Sequence, residues 1–232
     1  MGMTKPVGQT VSAFDSGYDH VFYFTSSGGN QIVKNQITIK NNLTNAVVYQ
    51  NTVSTLSSSH VVPADTLVNG TQYNYSIITY DANNLASDAS DAITFYCYTT
   101  PVISFTNIPT DNVIPSSSYT FNISYTQNEG EHINYMVVSL YNSSGDVIDV
   151  SDPLYNTGNP PLSFSHTISG FTQATQYMLR VKTVSINGTI VEKTSQTFTA
   201  NYVEPNIYSK LSLSNDCESG GTNITSNIVL AT

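Results

Sequence analysis

The side chains best suited to chemistry are thinly spread. Four histidines, His20, His60, His132 and His166, occur singly, none in a His-x-x-x-His pair or beside a cysteine. No pair is preset at the spacing that a metal ion requires. Ordinary surface or strand-edge positions are expected for all four. Cys97 and Cys217 lie 120 positions apart with no Cys or His at metal-ligand spacing. They read either as two half-buried free thiols or as one disulfide tying the C-terminal segment back, and neither reading assigns a function. Neither Gly-x-Ser-x-Gly nor a glycine loop of phosphate-binding form occurs, so nucleophile and nucleotide chemistry lack their usual anchors. The densest acidic group is Asp146, Asp149 and Asp152, with Glu129 and Glu131 in an adjoining loop. Loop carboxylates suit calcium, but this spacing is not that of a calcium loop, and a solvated hairpin edge is the expectation. Asp88 and Asp91 are read the same way. No catalytic, cofactor-binding or metal-binding residue is assigned, no cofactor is expected, and the chain is not expected to be an enzyme.

Bulk properties narrow the class further. The 232 residues carry a net charge of −9 with only seven Lys and Arg, Arg180 being the sole arginine. No basic stripe exists to neutralise a phosphate backbone, which argues against nucleic acid as a partner. Charged residues form 10% of the chain, against about 25% in ordinary globular domains. The surface must therefore be polar yet largely uncharged. No run approaches the roughly 18 apolar residues of a membrane helix, so no membrane insertion is expected. Met1 to Val11 lacks the charged-then-apolar pattern of a secretion signal. Asn-x-Ser/Thr occurs at Asn42, Asn69, Asn74, Asn122, Asn142, Asn187 and Asn223. Because about a quarter of residues are Ser or Thr, each Asn has roughly that chance of such a context, and composition alone accounts for them.

The elements that would position any site are announced by a repeat. Leu67-Val-Asn-Gly-Thr-Gln-Tyr73 returns as Phe171-Thr-Gln-Ala-Thr-Gln-Tyr177, displaced by 104, and Thr94-Phe95 returns as Thr197-Phe198, displaced by 103. Lys5-Pro-Val7 is echoed by Thr100-Pro-Val102, and the hairpin around Asn35 to Tyr49 by that around Asn134 to Ile148. After each Thr-Gln-Tyr the chain alternates with period two. Tyr73, Tyr75, Ile77 and Thr79 share one face, as do Tyr177, Leu179, Val181 and Thr183, while Asn74, Ser76, Arg180 and Lys182 take the other. That pattern predicts strands with one buried side. Val21–Phe24, Tyr119–Tyr125 and Leu162–Ile168 read likewise, and Gly28-Gly29-Asn30, Asn41-Asn42, Asn83-Asn84, Ser143-Ser144-Gly145 and Asn187-Gly188 supply turns. No window holds apolar residues at helical spacing, so essentially no helix is predicted. About seven strands per hundred residues, twice, predicts an all-β chain of two tandem sandwiches.

The segment from Leu67 or Phe171 through Thr-Gln-Tyr to Thr-Phe resembles the second half of a fibronectin type III domain, over roughly residues 5 to 201. The resemblance implies that Tyr73 and Tyr177 form tyrosine corners, each hydroxyl bonding back to the preceding turn while the ring fills the core. That family usually buries a tryptophan early in the domain. This chain has none, and Phe22 or Phe24 and Phe121 are expected to substitute. The predicted division is 1–98, 99–201, and a tail at 202–232 that is either a β-hairpin or the start of a truncated third domain. In the tail, Ile207 to Leu213 and Ile224 to Leu230 would form the hairpin, which must lean on a partner to be stable.

The stretch Leu211-Ser-Leu-Ser-Asn-Asp-Cys-Glu-Ser-Gly220 with Ser226-Asn-Ile-Val229 resembles the segment after paired fibronectin-like domains in bacteriophage minor structural and tail proteins. It implies a virion component of tail, baseplate or fibre, present in multiple copies and touching other virion proteins, with a host cell-surface glycan as a further candidate partner. Low charge fits close packing of many copies. The alternative is a bacterial surface adhesin, or a spacer of a secreted glycan-active enzyme. Sixteen tyrosines, several at outward or loop positions (Tyr80, Tyr96, Tyr98, Tyr141, Tyr155, Tyr202, Tyr208), suit either an adaptable contact surface or packing between domains.

Overall fold

The computed structural model describes residues 3–203 together with the backbone of Tyr208–Leu211 and Ser226–Val229. Cys217 and the tail outside those two segments lie beyond the described residues. Among the latter there is no helix; the chain is all-β. In the N-terminal half the strands are β1 (Val7–Gly8), β2 (His20–Thr25), β3 (Lys34–Asn41), β4 (Val47–Ser54), β5 (Ser59–Val62), β6 (Thr71–Tyr80) and β7 (Ile93–Cys97). They form two sheets, ordered β1-β2-β5 and β4-β3-β6-β7.

The C-terminal half repeats this plan. It comprises β8 (Val102–Phe105), β9 (Val113–Ile114), β10 (Ser118–Thr126), β11 (Ile133–Asn142), β12 (Val147–Val150), β13 (Leu162–Ser169), β14 (Thr175–Ser185), β15 (Ile190–Thr194) and β16 (Phe198–Ala200). Here β13-β10-β8 faces β12-β11-β14-β16-β9, with β15 on the far stretch of β14. Three strands against four or more, in this order, is a sandwich of the fibronectin type III and immunoglobulin kind. In the tail, β17 (Tyr208–Leu211) pairs antiparallel with β18 (Ser226–Val229).

Alternation decides which side each strand buries. Tyr73, Tyr75, Ile77 and Thr79 are all buried, as are Tyr177, Leu179, Val181 and Thr183, while Arg180 faces solvent. The inward residues of the two N-terminal sheets meet in one cluster that includes Phe22, Phe24, Ile37, Tyr75 and Phe95. Those of the C-terminal sheets meet in another, with Phe121, Ile123, Tyr125, Leu179 and Phe198. The two clusters share no residue. Each fully buried large apolar side chain stabilises the fold by about 1.5–3 kcal/mol relative to exposure. Phe22, Phe24 and Phe121 are all buried in these cores: Phe22 lies edge-on to Tyr75, and Phe121 lies 5.4 Å from Phe198.

The repeat extends to register. Val7 pairs with Thr25 and Val102 with Thr126. Both outer hairpins bulge at one residue, between Ile39 and Lys40 and between Leu140 and Tyr141. Turns fall at the marked residues, with positive φ at Gly28, Gly29, Asn84, Gly145 and Gly188. One device was not foreseen. The last strand of the C-terminal half is split into β15 and β16, and the gap is closed by Ser195, whose hydroxyl accepts the Leu179 N–H at 2.9 Å. Ser90 does the same for the Ile77 N–H at 3.0 Å in the N-terminal half.

Candidate functional site

The two tyrosine corners are present and alike. Tyr73 is 3% and Tyr177 5% exposed. The Tyr73 hydroxyl accepts the Val68 N–H and the Tyr177 hydroxyl the Thr172 N–H, each at 3.0 Å and each five residues upstream. Their rings lie 5.8 Å from Phe95 and 6.1 Å from Phe198, both tilted by 31°. These contacts fix the turn that precedes β6 and β14. In the N-terminal half that turn, with the Phe14–Gly17 segment, is presented to the other half.

The richest polar constellation in the described residues is this meeting of the halves. Asp15 Oδ1 accepts the Gly17 N–H and the Asn69 amide, and Oδ2 accepts the Thr100 N–H at 2.8 Å. Glu129, in the loop between β10 and β11, accepts the Thr99 N–H at 3.0 Å and the Thr99 hydroxyl at 2.6 Å. Gln127 donates to the Thr99 carbonyl and accepts the Glu131 N–H. On the far side, the turn between β14 and β15 reaches back: the Asn187 carbonyl accepts the Ala13 N–H at 2.9 Å, and Thr189 donates to the Ala13 carbonyl. Ser12 sits so close that a Cβ on Gly188 would come within 3.1 Å of its Oγ. The connecting residues Thr99 and Thr100 are thus held by the Asp15 segment and the β10–β11 loop, and Ala13 by the β14–β15 turn.

Electrostatics bear on the same spot. Burial raises the Asp15 carboxyl, but the bonds from Asn69, Thr100 and Gly17 outweigh it and hold Asp15 below the usual carboxylate range. Glu131 is the reverse. Only 2% exposed, it is pushed above its ordinary value by burial, which bonds from Ser185, Thr189 and Asn187 only partly offset. Ser185 donates to Glu131 Oε1 at 2.6 Å, while Oε2 has no hydrogen-bond partner. Glu131 is therefore not a solvated loop acid as its neighbours in sequence suggested. It is the buried acid behind the β14–β15 turn. Asp146, Asp149 and Asp152 are exposed, and the five acids do not converge. Among the described residues no three His, Cys, Asp or Glu side chains lie together at metal-binding distance.

The histidines divide. His60 is not at the surface: it is 1% exposed, with Nδ1 2.6 Å from Asn35 Oδ1. Asn35 spends its amide N–H groups on the Ser57 and Ser59 carbonyls, so its oxygen faces His60, and the imidazole must carry its proton on Nδ1. Nε2 is left buried without a partner, and burial holds the ring below its usual pKa. His20 is half-buried, stacked on Phe14 at 3.7 Å, and its pKa is also lowered by burial. His166 Nε2 lies 4.0 Å from Asp149. Lys5 pairs with Asp91 at 2.7 Å on the surface. Cys97 is buried in the N-terminal core, its thiol pushed up to about 12, first by burial and then by Asp15.

The tyrosines named as contact residues are mostly partly buried. Tyr96 stacks on Tyr98, Tyr80 lies under Lys34, and Tyr141 under Arg180. Of those named and described, Tyr155 alone is largely exposed, at 69%; Tyr208 has no described side chain. A groove of about 620 Å³ runs between β8 and β15, lined by Val102, Phe105, Ile108 and Gln196 among others, with Lys193 its single ionisable side chain.

No family model matches the chain, and no curated protein matches it. Among solved structures it is similar to the crystal structure of the chicken CNTN1 FN1–FN3 domains, at 12% identity and a TM-score of 0.45. The match covers 86% of this chain and 69% of that one.

Proposed function

We propose that the chain is a non-catalytic structural and attachment protein of a bacteriophage virion, with domains at 1–98 and 99–201 and a tail at 202–232. Its task on this reading is to hold other virion proteins at a set spacing and orientation in a tail, baseplate or fibre, and to meet the host surface. The observation that carries the structural part is the junction. Asp15, Thr99, Thr100, Gln127, Glu129 and the Asn187–Thr189 turn interlock across the halves, as a spacer needs and as a freely swivelling linker does not. The low charge and the tail segment's resemblance support the virion assignment.

Mass spectrometry of purified particles tests the assignment. The chain is expected among the particle proteins in several copies. Its absence from particles, together with recovery from a bacterial cell surface or secreted fraction, would instead make it an adhesin or enzyme spacer.

A further inference from the structure

The N-terminal half contains a break in its sheet that the C-terminal half has closed. In β2, Phe22 and Phe24 direct their backbone groups toward β5, since the Phe24 N–H is bonded to Ser58. Backbone direction alternates along an antiparallel strand, so Val21 and Tyr23 direct theirs to the other side. There Tyr23 is met by Gln9, whose N–H donates to the Tyr23 carbonyl at 3.0 Å. Beyond Gln9 the chain leaves β2 and crosses to β7, where Phe14 pairs with Cys97. The Val21 N–H and C=O therefore face a gap. A groove of about 260 Å³ occupies it, lined by Thr10, Val11, Phe14, His20, Val21 and Tyr23 among others.

The equivalent gap in the C-terminal half is filled. There β8 pairing continues to Thr106, whose N–H reaches the Asn122 carbonyl, and the Asn107 side chain completes it. Asn107 Oδ1 accepts the Asn122 N–H at 2.8 Å, and its amide donates to the Thr120 carbonyl at 2.7 Å. One asparagine thus imitates the missing strand residue. Among the described residues no side chain does this for Val21.

We infer that this groove is a docking notch for an extended, uncharged peptide segment of a partner protein, which pairs with Val21 as an added strand residue. An outward N–H and C=O on one residue match the donor and acceptor of a single extended residue. The lining holds no acid, lysine or arginine; its titratable side chains are His20 and Tyr23, and burial lowers the pKa of His20, which favours the neutral ring. In a chain of net charge −9, a neutral segment is the one such a groove suits. Beside it, Val21 stands opposite Val61 on the outer face, and Val61 and Tyr23 are exposed. An apolar residue flanking the docked one has a surface to cover.

The test uses the whole chain and a blocked peptide, N-acetyl-Val-Thr-Val-methylamide, with N-acetylglucosamine as a second probe. In the free protein the Val21 amide should exchange with deuterium at least tenfold faster than those of Phe22 and Phe24. Saturating peptide should slow it at least tenfold, with saturable NMR shifts confined to residues 9–14 and 20–23. Val21→Pro removes an N–H that is unbonded in the fold, while also fixing φ there and restricting His20, and should weaken peptide binding at least tenfold. Thr10→Phe, which fills the groove and leaves the backbone intact, should do the same if the proline variant melts early. A Val21 amide already protected in the free chain overturns the inference. So do shifts elicited by the sugar and not the peptide, or peptide binding that survives both substitutions.

Discussion

Tyr73 and Tyr177, 104 positions apart, each accept a backbone N–H from five residues upstream at the same 3.0 Å. Removing either hydroxyl leaves a part-buried N–H without a partner, a loss of about 1–3 kcal/mol. Tyr73→Phe and Tyr177→Phe should each lower stability by that amount in urea titrations. Far apart and without shared contacts, the two effects should add in the double variant.

Glu131 gives the fold a pH dependence of unusual sign. Its folded pKa is raised above the unfolded value near 4.5, so its stabilising contribution is complete below about that pH and is lost as pH rises through the folded pKa. Glu131→Gln keeps a partner for Ser185 and removes the titration. The variant should gain stability relative to the parent as pH is raised from 4 to 7, measured by chemical denaturation. A constant difference across that range would contradict the burial of a titrating acid here.

His60 acts in the opposite direction. With its folded pKa held below the ordinary 6.5, protonation is easier in the unfolded chain, and stability falls as pH drops below about 6.5. His20 contributes in the same sense. Glu131 acts the other way over part of this range, so the check is a difference: between pH 7.5 and 5.5 the parent should lose melting temperature relative to His60→Gln with His20→Gln, even if the variant lowers the plateau.

Cys97 should resist alkylation. A buried thiol pushed up to about 12 has almost no thiolate at pH 8. Peptide mapping after iodoacetamide treatment should find Cys97 unmodified in the folded chain and modified in denaturant. Cys97→Ser, which places a hydroxyl in the apolar core, should cost about 1–3 kcal/mol.

What could be read in advance, and what could not, follows from the range of the interactions. The alternation from Tyr73 to Thr79 and from Tyr177 to Thr183 is local, and it set the strands and their buried faces, while the tyrosine corners were implied by the family resemblance. The inward face of β5 was not read in advance: only His60 and Val62 alternate with Ser59 and Val61 over four residues, and a histidine there reads as an edge residue until Asn35 is seen beside it. Glu131 lies in a loop without periodicity, and Ser185, the residue that buries it with a bond, is 54 positions away. The open backbone at Val21 has no signature in residue type at all. It arises from where the preceding strand turns away, and only comparison with Asn107 makes it stand out.

Each half also ties its first and last segments side by side and in the same direction. Phe14 is bonded to Tyr96 and Tyr98, and Val113–Ile114 runs parallel to Thr199–Ala200. Tension applied between the ends of either half therefore acts along these contacts in shear. Their hydrogen bonds must rupture together instead of unzipping one after another, which is the geometry that resists stretching.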